Sequence, residues 1–317
     1  MARRALSVSV IVLSVTLLSG AQQAFATAID LGDAADYGIL TGTKERATFS
    51  GSLNMTGNLG VGANSTVKFQ KTNTITGTEY KDSGVSTSGS ANISGGVVTQ
   101  SMSNAISDAA AASTAAGALS GTAGLQNQGG SISLNDTSLT IKALTNLSEN
   151  VLNISALSLM NGTLTFDDNG YTGAKFIINV TGNFTVGSSG SGRSVVNGIN
   201  GATAADIIFN IEGTGSTVSL TGANSSSMVG TVLAPSRNVS VGGNGTLTGA
   251  LIAGVKNAGS GYTLAAANTG FNITDYAYKP STGGGRGRAP EPSSLLLYGS
   301  GLAALAAFRR RHRRKIL

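Results

Sequence analysis

The sequence Lys175-Phe176-Ile177-Ile178-Asn179-Val180-Thr181-Gly182-Asn183-Phe184-Thr185-Val186 contains two short apolar runs separated by a Gly-Asn pair. β-Branched and aromatic residues favour strands. Gly and Asn tolerate the positive φ values of tight turns. The stretch therefore predicts two short strands joined by a tight corner, and this unit decides the fold because it recurs.

Similar apolar runs follow one another at roughly ten residues per strand, without an exact repeat, and nearly every gap holds Gly or Asn. The predicted strands are 131–134, 139–141, 163–166, 175–180, 183–186, 206–211, 217–220, 228–233, 238–241 and 246–253. Two architectures fit such spacing, a β-solenoid and a β-sandwich. The small number of aromatic residues and the 45 glycines favour the tight corners of a solenoid. We predict a mainly β protein with a β-solenoid, and a β-sandwich is the alternative.

One segment departs from the strand pattern. Apolar residues recur at helical spacing within an Ala-rich run, namely Met102, Ala105, Ile106, Ala109, Ala112, Ala116 and Leu119. Alanine has the highest helix propensity. The pattern predicts a single helix over about 99–119, packed against the β body through its small side chains, with Gly117 weakening the last turn.

The N-terminus has the features of a signal peptide. Arg3 and Arg4 precede an apolar stretch at 5–18, and Ala24-Phe25-Ala26 is a small-x-small cleavage motif. We expect residues 1–28 to be a signal peptide and residues 29–280 to form the exported β domain.

The C-terminal residues carry three signals in a fixed order. Residues 281–289 are a Gly/Arg-rich spacer, and then come Pro290-Glu291-Pro292, an apolar run at 295–308, and the basic series Arg309-Arg310-Arg311-His312-Arg313-Arg314-Lys315. The apolar run is short for a membrane helix, which needs about 20 residues, although flanking residues can extend it. The arginines would remain on the cytoplasmic side. The pattern predicts a membrane helix at 295–308, and an ordinary tail anchor is the alternative to a sorting signal.

The net charge of +6 comes from these two ends. Without Arg3, Arg4, Glu291 and the basic residues from Arg286 onward, 11 basic residues remain against 14 acidic ones, and the basic residues are scattered. Nucleic acid is therefore not an expected partner. The chain has no Cys, and its one histidine is His312 in the basic tail. A His-assisted nucleophile and a His- or Cys-ligated zinc site are thus excluded from the β domain, and we expect no enzyme activity and no cofactor.

Three sets of residues are candidate sites. Thr72, Thr74, Thr76 and Thr78 alternate, so in one strand their hydroxyl groups would share a face that suits ice or carbohydrate. Thr163 and Thr165, and Thr246 and Thr248, do not obviously extend that array. Asp167 and Asp168, followed by Asn169 and Gly170, could supply oxygen ligands to calcium, but the sequence is equally that of a tight turn. Asp30, Asp33 and Asp36 could pair as glycosidase carboxylates, and a solvated edge is the simpler interpretation.

Two family resemblances follow from these residues. The order Pro290-Glu291-Pro292, apolar run and basic tail resembles the PEP-CTERM sorting signal of Gram-negative bacteria, which implies recognition and cleavage by an exosortase. Residues 230–235 with 247–254, and the opening segments 31–37 and 57–62, resemble choice-of-anchor A domains and bacterial ice-binding-like adhesins. That resemblance implies a discontinuous, right-handed β-solenoid with one long helix alongside it.

These features together predict an exported, non-enzymatic surface protein. After transient anchoring in the inner membrane it would reach the cell surface or an exopolysaccharide matrix. Its partners would be the sorting machinery, the membrane until processing, and polysaccharide. The alternatives are an ice-binding module that uses the threonine face and, third, a polysaccharide-acting enzyme.

Overall fold

The computed structural model describes residues 29–144, 149–171, 173–188, 192–213, 215–222, 226–256, 263–267, 271–275 and 277–280. Within these residues the chain forms 27 strands, one α-helix and two 3₁₀ helices, Gly32–Asp36 and Ala204–Asp206. All paired strands run parallel, in three sheets of nine strands.

Ten strands precede the helix: β1 (Tyr37–Thr41), β2 (Arg46–Phe49), β3 (Leu53–Thr56), β4 (Asn58–Val61), β5 (Thr66–Phe69), β6 (Thr74–Thr76), β7 (Glu79–Lys81), β8 (Ser86–Ser88), β9 (Asn92–Ile93) and β10 (Val97–Thr99). The helix is α1 (Ser103–Gly117). Seventeen strands follow it: β11 (Ser131–Asn135), β12 (Ser138–Lys142), β13 (Glu149–Ile154), β14 (Ala156–Met160), β15 (Thr163–Asp167), β16 (Lys175–Val180), β17 (Phe184–Ser188), β18 (Val195–Ile199), β19 (Ile207–Ile211), β20 (Val218–Gly222), β21 (Ser227–Val229), β22 (Thr231–Ala234), β23 (Val239–Gly243), β24 (Thr246–Thr248), β25 (Leu251–Ala253), β26 (Thr263–Ala267) and β27 (Phe271–Thr274).

The three sheets are the three sides of a β-solenoid. Their strand orders are β10-β7-β4-β1-β25-β22-β19-β16-β13 in sheet A, β11-β14-β17-β20-β23-β26-β2-β5-β8 in sheet B and β12-β15-β18-β21-β24-β27-β3-β6-β9 in sheet C. Each turn of the chain contributes one strand to each sheet, and we call such a set of three strands a rung. The predicted β-solenoid with one helix alongside is confirmed, and the β-sandwich alternative is wrong.

The solenoid is discontinuous. The chain builds three rungs and part of a fourth from β1 to β10, and α1 then carries it to the opposite end, where β11 starts the second series of rungs. That series returns until β27 pairs with β3, with Ile273 beside Met55. Residues from the two ends of the domain therefore become neighbours in the middle of the solenoid.

The interior of the solenoid is a continuous apolar core. It holds inward-facing residues of all three sheets, among them a chain of phenylalanine contacts in which Phe166 lies 5.1 Å from Phe176 and 5.8 Å from Phe209 between ring centroids. Parallel stacking places like residues of successive rungs over one another. The apolar side chains of the short strands are thereby removed from water.

Sheet A is buried on both faces, because α1 packs on its outer side. Ile177 and Ile208 face the helix, whereas Phe176 and Phe209 face the interior. The helix is shorter than predicted, since Thr99 still pairs in β10 and the helix ends at Gly117. Its predicted buried stripe is present, with Met102, Ala105, Ala109, Ala112 and Ala116 all at most 3% exposed.

The stretch at 230–254, which carries part of the family resemblance, supplies corners and buried strands to the solenoid. Gly230 and Gly249 occupy corners at φ 113° and 147°. Val232 and Leu251 fill the interior. Leu233 and Ile252 instead face the helix, because neighbouring residues of a strand point to opposite sides and sheet A has an apolar layer on each side.

Candidate ligand-binding face

The outer face of sheet C carries a regular grid of uncharged polar side chains. Four neighbouring strands, β24, β27, β3 and β6, each present an outward-inward-outward triplet. The outward residues form the Thr/Asn array, which consists of Thr246, Thr248, Asn272, Thr274, Asn54, Thr56, Thr74 and Thr76. All eight are exposed or half-buried.

The strand register aligns the array in two columns. One column stacks Thr248, Thr274, Thr56 and Thr76, and the other stacks Thr246, Asn272, Asn54 and Thr74. Strands lie about 4.8 Å apart, and residues i and i+2 of one strand about 6.6 Å apart. The array is therefore a regular lattice of hydroxyl, methyl and amide groups.

The floor under the array is rigid and apolar. The middle residues of the four triplets, Leu247, Ile273, Met55 and Ile75, are at most 1% exposed and belong to the main core. Within the described residues, no side chain of the array has a hydrogen-bond partner in the protein. The polar groups of the array are consequently directed to solvent or to a ligand.

The array differs from the threonine ladder predicted from the sequence. Only Thr74 and Thr76 lie in β6, whereas Thr72 precedes the strand and Thr78 follows the corner at Gly77. The Thr78 N–H donates to Asn58 Oδ1 at 3.0 Å, so this residue is part of the next corner. The strand is short because the chain must turn at Gly77, where a Cβ would lie 2.2 Å from the Gly57 carbonyl oxygen.

The sequence predicted only two of the eight residues of the array, Thr74 and Thr76. Thr246 and Thr248 were not expected to extend it, yet they stack three strands from β6. Asn54-Met55-Thr56 and Asn272-Ile273-Thr274 have the same polar-apolar-polar form as Thr74-Ile75-Thr76, and that form is the signal that could have found them. Thr163 and Thr165 lie in the same sheet but are separated from the array by β18 and β21.

The intervening strands of sheet C have a different character. Their outward side chains include Val195, Val229 and Ile199, of which Ile199 is 40% exposed. This apolar interruption defines the limit of the array on the side towards β12.

The array itself contains no ionisable group, and the acid that adjoins it is Asp275. This residue follows Thr274, and burial raises the pKa of its carboxyl to about 6, with a further contribution from the negative charge of Asp36. Its N–H donates to the Thr56 carbonyl at 2.9 Å, which joins the end of β27 to β3.

The structure places the two candidate calcium ligands where β15 ends, with Asp167 as the last residue of the strand and Asp168 just before the turn at Asn169 and Gly170. Asp167 accepts hydrogen bonds from the Asn169 N–H and from Asn200 Nδ2, both at 2.8 Å, and these bonds, that of Asn200 foremost, hold its pKa below the ordinary value. Asp168 accepts from the Gly170 N–H at 3.2 Å. In the part of the chain that the structure describes, no group of three or more His, Cys, Asp or Glu side chains is arranged to hold a metal ion.

The three N-terminal aspartates do not form a carboxylate pair. Asp30 Oδ1 accepts a hydrogen bond from the Gly32 N–H at 2.9 Å. The Asp33 N–H donates at 2.9 Å to Asp108 of the helix. Asp36 ends the first 3₁₀ helix. Asp33 thereby attaches the start of the domain to the helix.

The predicted sorting residues Pro290, Glu291, Pro292, Arg309, Arg310 and Arg311 lie outside the described residues, as do the signal peptide, the spacer and the membrane helix at 295–308. Among the helices that are described, none is long and apolar enough to cross a bilayer.

Comparison with protein families gives two matches. A model described as an ice-binding-like adhesive domain matches residues 15–264. A model of the PEP-CTERM protein-sorting motif matches residues 288–311. These matches confirm the two resemblances inferred from the sequence, and neither describes an enzyme.

Similar solved structures include an ice-binding protein from the Antarctic ascomycete Antarctomyces psychrotrophicus, with 19% identity over 77% of this chain and 97% of that chain and a TM-score of 0.49. The ice-binding protein 1 domain of Shewanella frigidimarina has 18% identity over 78% and 97% of the two chains, with a TM-score of 0.48. A glycosylated ice-binding protein from an Arctic yeast has 14% identity over 82% of this chain and 99% of that chain, with a TM-score of 0.48. Among curated proteins the comparison found no match.

Proposed function

The chain belongs to the family of ice-binding-like adhesive domains and carries a PEP-CTERM sorting motif, and from this premise we propose that it is an adhesive protein of the cell surface or extracellular matrix. The two family matches support an exported, non-enzymatic surface protein. The adhesive role rests on one structural observation, the Thr/Asn array on sheet C.

The array suits a long ligand with a repeated structure, such as an uncharged polysaccharide. Its hydroxyl and amide groups recur at a fixed spacing along two columns. Threonine hydroxyls donate and accept hydrogen bonds, and asparagine amides do both at once. A polymer lying across several strands would form many weak contacts simultaneously, so that the contacts reinforce one another.

Ice is the second candidate ligand, and the column of four threonines favours it. Thr248, Thr274, Thr56 and Thr76 stack in register, so that each strand presents one hydroxyl and one methyl group at the strand spacing. Such a column could order surface water in a regular layer. Both candidates use the same face, and an experiment on that face must therefore separate them.

The experiment uses the full chain, produced in its host and collected from the cell surface. Binding to a panel of matrix polysaccharides is compared with thermal hysteresis and inhibition of ice recrystallisation. Thr56→Lys introduces a long charged side chain at the centre of the array, and we expect it to reduce binding of the true ligand at least tenfold. Ser133→Lys, on the exposed face of sheet B, is the matched control and should leave binding unchanged.

Each outcome decides between the candidates. Polysaccharide binding that Thr56→Lys abolishes, without any effect on ice, supports the adhesin. Thermal hysteresis that the same variant abolishes supports the ice-binding alternative. Absence of both activities, or equal losses in Thr56→Lys and Ser133→Lys, contradicts the assignment of the array as the binding face.

The same proposal assigns the C-terminal residues to sorting. The motif match at 288–311 contains Pro290, Glu291, Pro292 and the arginines Arg309, Arg310 and Arg311. An exosortase-type enzyme would recognise the first three residues while the apolar run holds the chain in the inner membrane. Glu291→Ala should leave the protein uncleaved in the membrane fraction, whereas Glu149→Ala, far from the motif in sequence, should not. Normal release of Glu291→Ala would contradict this role.

A further inference from the structure

One end of the solenoid is not closed. Strands β8, β9 and β10 form its last rung, here called the open rung (residues 86–99), and each pairs with a neighbour on one side only. Side chains of the open rung that point into the solenoid are therefore exposed, whereas the side chains on which they stack in the next rung are buried. Val97 is 51% exposed although it stacks on Glu79, which is 1% exposed. Thr87 is exposed although it stacks on the fully buried Val67.

The opposite end is closed by the segment at 119–130. Its backbone pairs with the edge of β13, since the Thr122 N–H donates to the Val151 carbonyl at 2.8 Å and the Gly129 N–H to the Asn153 carbonyl at 2.7 Å. Leu125 of the same segment is 5% exposed and belongs to the main core. The two ends of this solenoid are therefore different surfaces.

The open rung also lacks the features that keep strand edges apart. Charged residues and proline normally prevent the unpaired N–H and C=O groups of an edge strand from pairing with another chain. Residues 83–107 contain no charged residue and no proline. Val97 and Val98, at 51% and 41% exposed, are two of the three large apolar side chains that are exposed in the described part of the chain.

We propose that the open rung is a self-association surface on which a second copy of this chain docks end to end about a twofold axis. Such an axis reverses the strand direction, so β10 would pair with the β10 of the second copy in antiparallel fashion, and β8 with β9. Placing the axis at Val98 brings Val97 and Val98 of both copies together. Closed twofold dimers are the commonest oligomers, and head-to-tail stacking is blocked by the segment at 119–130.

The last described residues lie away from the open rung. The Tyr278 N–H donates to Thr231 Oγ1 at 2.8 Å and the Lys279 N–H to the Ala205 carbonyl at 2.9 Å, which fixes the last described residues beside β19 and β22. In sheet A, β19 is six strands from β10, a distance of about 29 Å at about 4.8 Å per strand. A second copy, whose edge has the same three strands, fits the open rung directly.

The test uses the absence of cysteine from the natural chain. In antiparallel pairs, facing Cα atoms lie about 4.5–5.5 Å apart, within the range that a disulfide requires. Val98→Cys in the full chain, displayed by its host and mildly oxidised, should give a reducible species of twice the monomer mass in at least tenfold excess over Ser133→Cys. The latter is an exposed position near the closed end.

A second variant keeps the test decisive. Val97→Lys, added to Val98→Cys, places like charges together at the twofold axis and should reduce the cross-link at least tenfold while the thiol remains reactive to a maleimide. The proposal is overturned by three results: no dimer from Val98→Cys, a cross-link to a protein of another mass, or a cross-link that persists with Val97→Lys. Ligand binding by the Thr/Asn array is measured in a separate experiment. Failure of the self-association proposal can therefore be distinguished from failure of the ligand-binding proposal.

Discussion

Ser113 and Asn210 are 97 residues apart in the chain and exchange two hydrogen bonds where the helix meets sheet A. Ser113 Oγ donates to Asn210 Oδ1 at 2.7 Å, and Asn210 Nδ2 donates to the Ser113 carbonyl at 3.1 Å. Both side chains are fully buried. The pair fixes the position of the helix along the solenoid.

Two further asparagines repeat this contact on neighbouring strands. Asn179 Nδ2 donates to the Ala116 carbonyl at 2.8 Å, and Asn153 Nδ2 to the Leu119 carbonyl at 3.1 Å. Three residues of helix rise about 4.5 Å, close to the strand spacing of about 4.8 Å. The asparagine side chains of three neighbouring strands therefore donate to backbone carbonyl groups that are three residues apart, near the C-terminal end of the helix.

Asn210→Ala should lower the free energy of unfolding by about 1–3 kcal/mol, because it leaves the buried Ser113 hydroxyl and carbonyl without their partner. Urea denaturation followed by circular dichroism measures this change. Asn272→Ala, at an exposed position of the array, should change stability by less than about 0.5 kcal/mol. Equal effects of the two substitutions would show that the helix contact does not contribute to stability.

Arg237→Ala should be among the most destabilising single changes. Arg237 is 1% exposed, and its guanidinium donates through Nε to the Ser216 carbonyl at 2.8 Å and through Nη1 to the Gly182 and Glu212 carbonyls at 3.2 and 3.1 Å. Removal of this buried side chain breaks its hydrogen bonds to the three carbonyl groups and leaves a cavity, at a cost of about 3 kcal/mol or more. Thermal unfolding measures the loss, and Arg237→Lys should recover only part of it because the ammonium group lacks the planar fork.

Gly249→Ala should destabilise the corner between β24 and β25. Gly249 has φ 147°, and a Cβ there would lie 2.1 Å from the Gly230 carbonyl oxygen of the next rung. Gly170→Ala is the matched control, since Gly170 also has positive φ (80°) but nothing lies within 4 Å of its Cβ position. The control should cost only about 1–2 kcal/mol for the left-handed backbone, and Gly249→Ala clearly more. A cost for Gly249→Ala no greater than the control would mean that the rungs can separate at this corner.

Stability should depend on pH through Asp275. Its pKa is raised from 3.8 to about 6, chiefly by burial. A raised acid pKa means that the folded state prefers the protonated form, so the stabilising contribution is complete below pH 3.8 and disappears as the pH rises through 6. We expect Asp275→Asn to be more stable than the natural protein at pH 7.5 and to lose that advantage towards pH 4. The difference in unfolding midpoint between the two proteins, measured across this range, tests the expectation, and a difference independent of pH would contradict it.

Part of the local structure of this protein could be predicted from the sequence. Alternating apolar residues with Gly-Asn gaps predicted most strands between residues 131 and 253, and the Ala-rich run predicted α1, because both patterns reflect interactions between residues close in the chain. Strands β1–β10, β13, β14 and β18 were not predicted, and the predicted strands 228–233 and 246–253 each contain a corner, at Gly230 and Gly249. The helix limits were less accurate, since Thr99 pairs with Lys81 of the neighbouring strand instead of entering the helix.

Only a small part of the array was predicted, for a related reason. Thr74 and Thr76 were recognised because they are close in sequence. Asn272 and Thr274 join Asn54 and Thr56 only because β27 stacks on β3. Nothing in the local sequence of either strand specifies the other as its neighbour.

The sequence by itself determined many of the short strands, the helix, the sorting motif, and the absence of cysteine and histidine from residues 29–280. Only the tertiary structure decided the order of the rungs, and with it the position of the Thr/Asn array at the junction of the two series and the difference between a closed and an open end. The physical reason is that strand propensity depends on a few neighbouring residues, whereas parallel stacking depends on which distant strand can cover the exposed edge and core of another.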